Sequence, residues 1–318
     1  MLFDTPKIED FLESKNEATR SIYRAGLTTF QEYYKPQGSI ADFLDRLEAD
    51  RDLGWKDSKD VASDVIRDYV AWLTNTKGYK RKTVRVYVAS VQQLCKKLRV
   101  PFATNDIHLP ASNPFLKKHP WTVEEIVRFF NLFEIQMYRS LGVLIFQSFI
   151  DCSTARSLTY GGIKAEYEAK ISPMALDCER IKTDIPFISF IGEWGLKELH
   201  KWLDSRTDLT HEAALFPVTK VAVCDYFRKK AEVFLNTKFK DNERSPCGSH
   251  SLRASGSTLA RGNIQGSSEQ RGAVDRYLDQ FMGKRIPEQQ RVYDSKDRNS
   301  WRETWRTCVE PYVTPKTF

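Results

Sequence analysis

The stretch that decides how this chain is read runs from Cys247 to Tyr293. It begins CGSHSLRASGSTLARG (Cys247 to Gly262), continues through VDRYLDQFMGKR (Val274 to Arg285) and reaches QQRVYDSK (Gln289 to Lys296). In HSLR, His250 and Arg253 stand three residues apart. On a helix that spacing puts both side chains on one face, where a cation and a neutral donor can grip a phosphate. The triplet Met282-Gly283-Lys284 follows, and Tyr293 comes nine residues after Lys284 in a polar, basic segment. A tyrosine hydroxyl, with a pKa of about 10, is a weak nucleophile unless cationic donors surround its target. The plain alternative is a solvated amphipathic helix with Tyr293 packed on a neighbour.

Working outward, 318 residues suffice for two domains with proper cores. A hydrophobic share of 41% and a charged share of 29% are ordinary for a globular chain. The net charge of +7 and pI near 9.0 suggest a polyanionic partner, a property shared with ribosomal and membrane-surface proteins. No apolar run reaches the ~18–20 residues that span a bilayer; the run Leu141 to Ile150 is interrupted by Gln147 and Ser148. The opening MLFDTPKIEDFLES lacks a signal-peptide layout, so a cytoplasmic place and no membrane partner are expected. The six cysteines form no CxxC pair and the five histidines show no metal-ligand spacing. A mechanism free of metal and cofactor is the expectation.

The amino-terminal third reads as helical. Tyr23, Leu27, Phe30 and Tyr34 form one stripe that stops at Lys35-Pro36-Gln37-Gly38. Phe43, Leu44 and Leu47 mark a second helix, and Val61, Val65, Tyr69 and Leu73 a third that ends near Lys77-Gly78. Thr83 is read as the cap of a fourth, with Val84, Val88, Val91, Leu94 and Leu98 inside it. Four short helices make a small bundle. Lys77, Lys80, Arg81, Lys82 and Arg85 cluster at the start of that last helix, where the macrodipole prefers acids. Phosphate contact supplies a reason for them; a solvated face is the alternative.

From Pro101 to Pro120 four prolines and no apolar period read as a stiff linker. Beyond it, Thr122-x-x-Glu125 is a capping box, and Leu141 to Phe149 a buried helix. Ile181 to Ile191, IKTDIPFISFI, carries strand signals around a Lys-Thr-Asp turn. Helices are expected over Glu193 to Asp204 and Thr219 to Asn236. The Gly- and Ser-rich GNIQGSSEQRGA reads as a flexible loop, and SWRETWRTCVEPYV as an amphipathic helix with Trp301, Trp305 and Val309 on one side.

HxxR, then an apolar-Gly-basic triplet, then Tyr at this spacing resembles the active site of the tyrosine recombinases, or phage-type integrases. KGYKRKTVRVYV resembles the turn and helix of their core-binding domain, and SLTYGGIK the turn after the first active-site helix of archaeal-type integrases. The resemblance implies a mostly α fold with a small β-sheet (α+β). It implies a helical, SAM-like core-binding domain over residues 1–100, a linker over 101–120 and a catalytic domain over 121–318. It implies a site-specific recombinase acting through a 3′-phosphotyrosine on double-stranded DNA at attachment-type sites. A homotetramer on DNA, nucleoid-associated while bound, goes with it.

Carried over by position, Tyr293 matches the nucleophile, Arg253 the second arginine and His250 its histidine. Lys284 stands where His or Trp is usual. Lys182 is the candidate for the catalytic hairpin lysine, with Lys170 as the alternative. The tail helix docks on a neighbouring subunit in such proteins, or on its own domain. One position departs from the pattern: Asp151 aligns with the first arginine, in Phe149-Ile150-Asp151-Cys152-Ser153-Thr154. An anion there is expected to repel a phosphate, and Arg156, one turn on, is a possible substitute. The implied alternative is a catalytically impaired DNA-binding protein that keeps the fold. A helical interaction protein without nucleic acid is a third reading, opposed by basic runs in both halves.

Overall fold

The computed structural model describes residues 6–53, 61–99, 121–181, 185–239, 245–262, 268–284 and 297–316. The chain divides into two compact units, Met1–Leu116 and Lys117–Phe318. The 101–120 segment read as a linker lies outside the described residues.

The first unit has five helices among the described residues rather than four: α1 (Pro6–Glu13), α2 (Glu17–Tyr34), α3 (Ile40–Asp52), α4 (Val61–Asn75) and α5 (Arg81–Lys97). The additional one is α1, separated from α2 because Asn16 caps the latter, accepting from the Thr19 amide at 2.9 Å. The predicted apolar stripes form the core. Phe30 is fully buried and meets Phe43, Tyr34 and Tyr69 at centroid distances of 4.9, 5.7 and 5.1 Å. The start of α5 differs from expectation. Thr83 lies inside the helix, the N-cap is Lys80, and no side chain caps the exposed amides there.

The second unit begins with α6 (Val123–Asn131), whose Thr122–Glu125 capping box forms in both directions. The buried α7 (Gln136–Ser148) follows, then α8 (Cys152–Ser157) and α9 (Tyr160–Glu168). A two-stranded antiparallel sheet pairs β1 (Met174–Arg180) with β2 (Ile185–Ile191), Cys178 opposite Phe187 and Arg180 opposite Ile185. The predicted strand was too long at its start, since Ile181 belongs to the turn. Its partner β1 was not foreseen at all. MALDCER holds no β-branched residue; it is a strand because β2 offers it a ladder and the core takes its alternate side chains.

The remaining helices are α10 (Glu193–Leu203), α11 (Lys220–Phe234), α12 (Ser249–Gly262), α13 (Ser268–Phe281), α14 (Arg298–Cys308) and α15 (Glu310–Val313). The loop expected over GNIQGSSEQRGA is already helical from Ser268. A glycine inside a helix costs about 1 kcal/mol. Burial of Leu278 and Phe281, and pairing of Asp275 and Asp279 with Arg261, favour the helix nonetheless.

The tail packs on its own domain. Trp301 and Trp305 are buried, Trp301 against Tyr277 and Phe281, and Trp305 beside Phe190. Arg298, Arg302 and Arg306, one per turn, reach Asp177 and Glu166, the Pro173 carbonyl, and the Ser172 carbonyl. The buried Gln147 fixes the end, donating to the Val313 carbonyl and Thr314 Oγ1 and accepting from the Gly195 amide. Among the described residues no helix is long and apolar enough to cross a membrane.

Candidate active site

The HSLR sequence falls in the first turns of α12, whose apolar residues Leu252 and Ala260 face the core. Gly256 sets how closely α12 approaches α7. A Cβ built on it would lie 2.1 Å from the Phe146 carbonyl oxygen, so no larger residue fits without a shift. That approach brings Arg253 beside the chain leaving α7, where Phe149 ends the helix in a left-handed conformation (φ 57°) and Asp151 begins α8.

Asp151 divides its two oxygens between two roles. Oδ1 accepts from the Ser153 and Thr154 amides at 2.9 and 3.0 Å, capping α8. Oδ2 faces Arg253 Nη1 at 3.8 Å, an ion pair longer than a hydrogen bond. The Asp151 charge is therefore partly compensated by helix amides and by Arg253 itself. Arg156, the residue considered as a substitute for an arginine at 151, donates its Nε to the Val218 carbonyl.

Arg253 has a side chain only 11% exposed. Its Nη2 donates to the Met282 carbonyl at 2.9 Å. Its Nε is buried and has no hydrogen-bond partner among the described residues. Burial lowers its pKa, Asp151 opposes that, and the nearby cation Arg180 adds to the lowering. The next carbonyl, that of Gly283, accepts from Arg180 Nη1 at 3.3 Å. Gly283 is held at φ 61° with the Phe187 ring 2.6 Å from where a Cβ would stand, so the turn requires glycine.

Arg180 was not singled out by the sequence. On β1 it shares the inward face of Leu176 and Cys178, whereas Asp177 and Glu179 are exposed on the other. Cys178 ties this face to the same place: its thiol is pushed up to about 12 by burial first, then by Asp177 and Asp151. Asp151, Cys178, Arg180 and Arg253 thus form one cluster at the inner end of β1. The signal that would have found Arg180 is the period of two along DCERIK, legible only once β1 is known to be a strand.

The other predicted residues sit as follows. His250 is exposed on the same helix as Arg253, one turn earlier. Lys284 is half-buried and pairs with Asp279 at 2.8 Å, which also pairs with Arg261. Lys170 is exposed at the end of α9 with φ 53°. It lines a surface cleft of about 1080 Å³ with Tyr167, His200 and Asp204, which shares no lining residue with the Arg253 cluster. Lys182 and Tyr293 lie outside the described residues.

In the first unit, Lys80, Lys82 and Arg85 are exposed and Arg81 is half-buried around the uncapped start of α5. None of these four forms an ion pair among the described residues. Lys77 differs. It pairs with Glu32 at 2.5 Å and lies 5.0 Å from the centroid of the Trp72 ring.

No protein-family model matches the sequence, and no curated protein sequence matches it either. Solved structures do match. A lambda integrase dimer bound to a COC′ core site shares 13% identity over 92% of this chain and 95% of that one, with a TM-score of 0.58. The XerH site-specific recombinase bound to its difH substrate shares 14% over 93% and 82%, with a TM-score of 0.53. The Tn1549 transposon integrase in complex with circular intermediate DNA shares 14% over 89% and 99%, again at 0.53. A likeness that spans so much of each chain at so low an identity is one of fold, and this chain has the tyrosine-recombinase fold.

Proposed function

We propose that the chain is a site-specific DNA recombinase that cuts and rejoins double-stranded DNA through a 3′-phosphotyrosine intermediate. The observation that carries this reading is Arg253: a nearly buried guanidinium whose Nε lacks an acceptor among the described residues, in an HxxR on α12, within a recombinase fold. An unsatisfied buried donor costs about 1–3 kcal/mol, and a phosphodiester oxygen is an acceptor of the right charge. The known structures that share the fold include complexes with DNA, which supports duplex DNA as the partner. A tetramer on paired sites follows from the same resemblance.

In the proposed reaction the Tyr293 oxygen attacks phosphorus and gives up its phenolic proton to water, the P–O5′ bond breaks, and the 5′ oxygen leaves with a proton from Lys182. A 5′-hydroxyl of another strand then attacks the phosphotyrosine and releases Tyr293. Arg253 and His250 hold the phosphoryl oxygens, and Lys284, kept in place by Asp279, offers a further hydrogen bond. Lys80, Arg81, Lys82 and Arg85 serve the DNA backbone, while Lys77 steadies the turn that presents them.

Trapping on nicked suicide substrates carrying the chain's target tests this. A covalent adduct should form with the wild type and vanish in Tyr293→Phe with DNA binding nearly intact. The second reading, a DNA-binding protein without chemistry, is favoured by one observation, the carboxylate of Asp151 where an arginine is usual. Absence of an adduct in both wild type and Asp151→Arg on a verified target would select it.

A further inference from the structure

The arginine absent at position 151 leaves the site with one guanidinium where a phosphoryl group gaining charge calls for two. We propose that Arg180, reaching in from the end of β1, is the second phosphate-binding guanidinium of this site. The phosphate class follows from the reading above; the assignment of Arg180 rests on its own observations.

Arg180 and Arg253 donate to successive carbonyls, Gly283 and Met282, so both guanidiniums end at one turn of chain. The inward face of β1 aims Arg180 there, beside Cys178, which feels the Asp151 carboxylate. Among the described residues no acid pairs with Arg180, and its one hydrogen bond, at 3.3 Å, is long for a charged donor. On the outer face, by contrast, Asp177 is paired with Arg298. Two guanidiniums side by side repel, and Asp151 supplies a single negative charge against two positive ones. Among the described residues the cluster keeps a net positive charge and an unused donor, Arg253 Nε. A tetrahedral anion with two free oxygens answers both. It also explains how Asp151 is tolerated: one oxygen faces the Arg253 guanidinium in the free protein and the other caps α8.

The test uses the full chain labelled with ¹⁵N-arginine and titrated with inorganic phosphate at low ionic strength. The Nε–Hε resonances are assigned with Arg180→Lys and Arg253→Lys, and unfolding of each variant is checked by melting. Resonances of Arg180 and Arg253 should move together along one saturation curve. Arg180→Ala should weaken phosphate about tenfold or more, and Arg180→Lys by less, because a point charge replaces a fork. If Arg253 titrates with unchanged affinity in Arg180→Ala, or Arg180 does not respond, the proposal is wrong. The covalent trap separates the two claims. An adduct that forms equally in wild type and Arg180→Ala removes Arg180 and leaves the recombinase reading standing. Phosphate binding that needs both arginines, with no adduct on a verified target, keeps the two-arginine site and ends the recombinase reading. If both hold, Arg180→Ala should lower the adduct rate by roughly 10²–10³.

Discussion

The Asp151 carboxylate faces the Arg253 guanidinium at 3.8 Å with one oxygen and caps helix α8 with the other. One side chain thus both holds a helix start and supplies a counter-charge to Arg253.

These two roles separate by mutation. Asn is as good an N-cap as Asp, so Asp151→Asn should keep most of the stability, whereas Asp151→Ala should lose about a further 1 kcal/mol in urea unfolding. Both remove the negative charge, and both should bind duplex DNA more tightly than wild type at equal salt. Unchanged affinity in Asp151→Asn would place the phosphate elsewhere.

Gly256→Ala sets helix propensity against packing. Alanine is preferred in a helix by about 1 kcal/mol, but its Cβ would meet the Phe146 carbonyl at 2.1 Å. Overpacking of that kind costs about 1–3 kcal/mol, so the net change should be destabilising. Arg253 would shift with α12, and phosphate binding should weaken. A rise in the unfolding midpoint would show that α12 and α7 can part freely.

Acid should loosen the tail helix. Burial alone would raise the Glu166 carboxyl, but the Ala175 amide, Arg302 and Arg298 outweigh it and hold the pKa below the usual glutamate value. A depressed acid contributes stability that is present above its unfolded pKa and is lost as pH falls through the folded one. Tryptophan fluorescence from the Trp301–Trp305 region should therefore change as pH drops below the ordinary glutamate range. In Glu166→Gln that part of the pH dependence should disappear, and its persistence would assign it to another group.

The uncapped, cationic start of α5 should dominate backbone binding by the first unit. Reversing the charge of Lys80, Arg81 and Lys82 should lower DNA affinity. It should also flatten the slope of log affinity against log salt by about 1 for each phosphate left unneutralised. Lys77→Glu should alter the slope least, since Lys77 is already paired with Glu32. An equal effect from Lys77 would overturn that ranking.

Thiol reactivity gives a check independent of DNA. The thiols of Cys95, Cys178 and Cys247 are each pushed up to about 12 by burial, and that of Cys152 to about 11, whereas Cys224 is exposed. Iodoacetamide at about pH 8 should label Cys224 first and the four buried thiols only on unfolding. Early labelling of Cys178 would contradict the packing of β1 beside Asp151.

By itself the sequence determined the helices that carry their own period and caps. The stripe from Leu27 to Tyr34, the capping box at Thr122 and the apolar run of α7 are local signals, and local hydrogen bonds and burial act on them directly. It also marked Arg253 and His250 through their spacing on one helix. It misjudged what depends on partners remote in the chain. MALDCER has no strand signal of its own and becomes β1 through pairing with Ile185 to Ile191. The helix start at Ser268 rests on burial of Leu278 and Phe281 and on Arg261 from another helix. Asp151, read as an intruder against phosphate, is a helix cap and the counter-charge of Arg253. Arg180 became visible only when the ladder turned its side chain inward and the Met282-Gly283 turn gathered both arginines. Spacing along the chain settles which side chains share a face; which faces meet is decided by the core that forms between them.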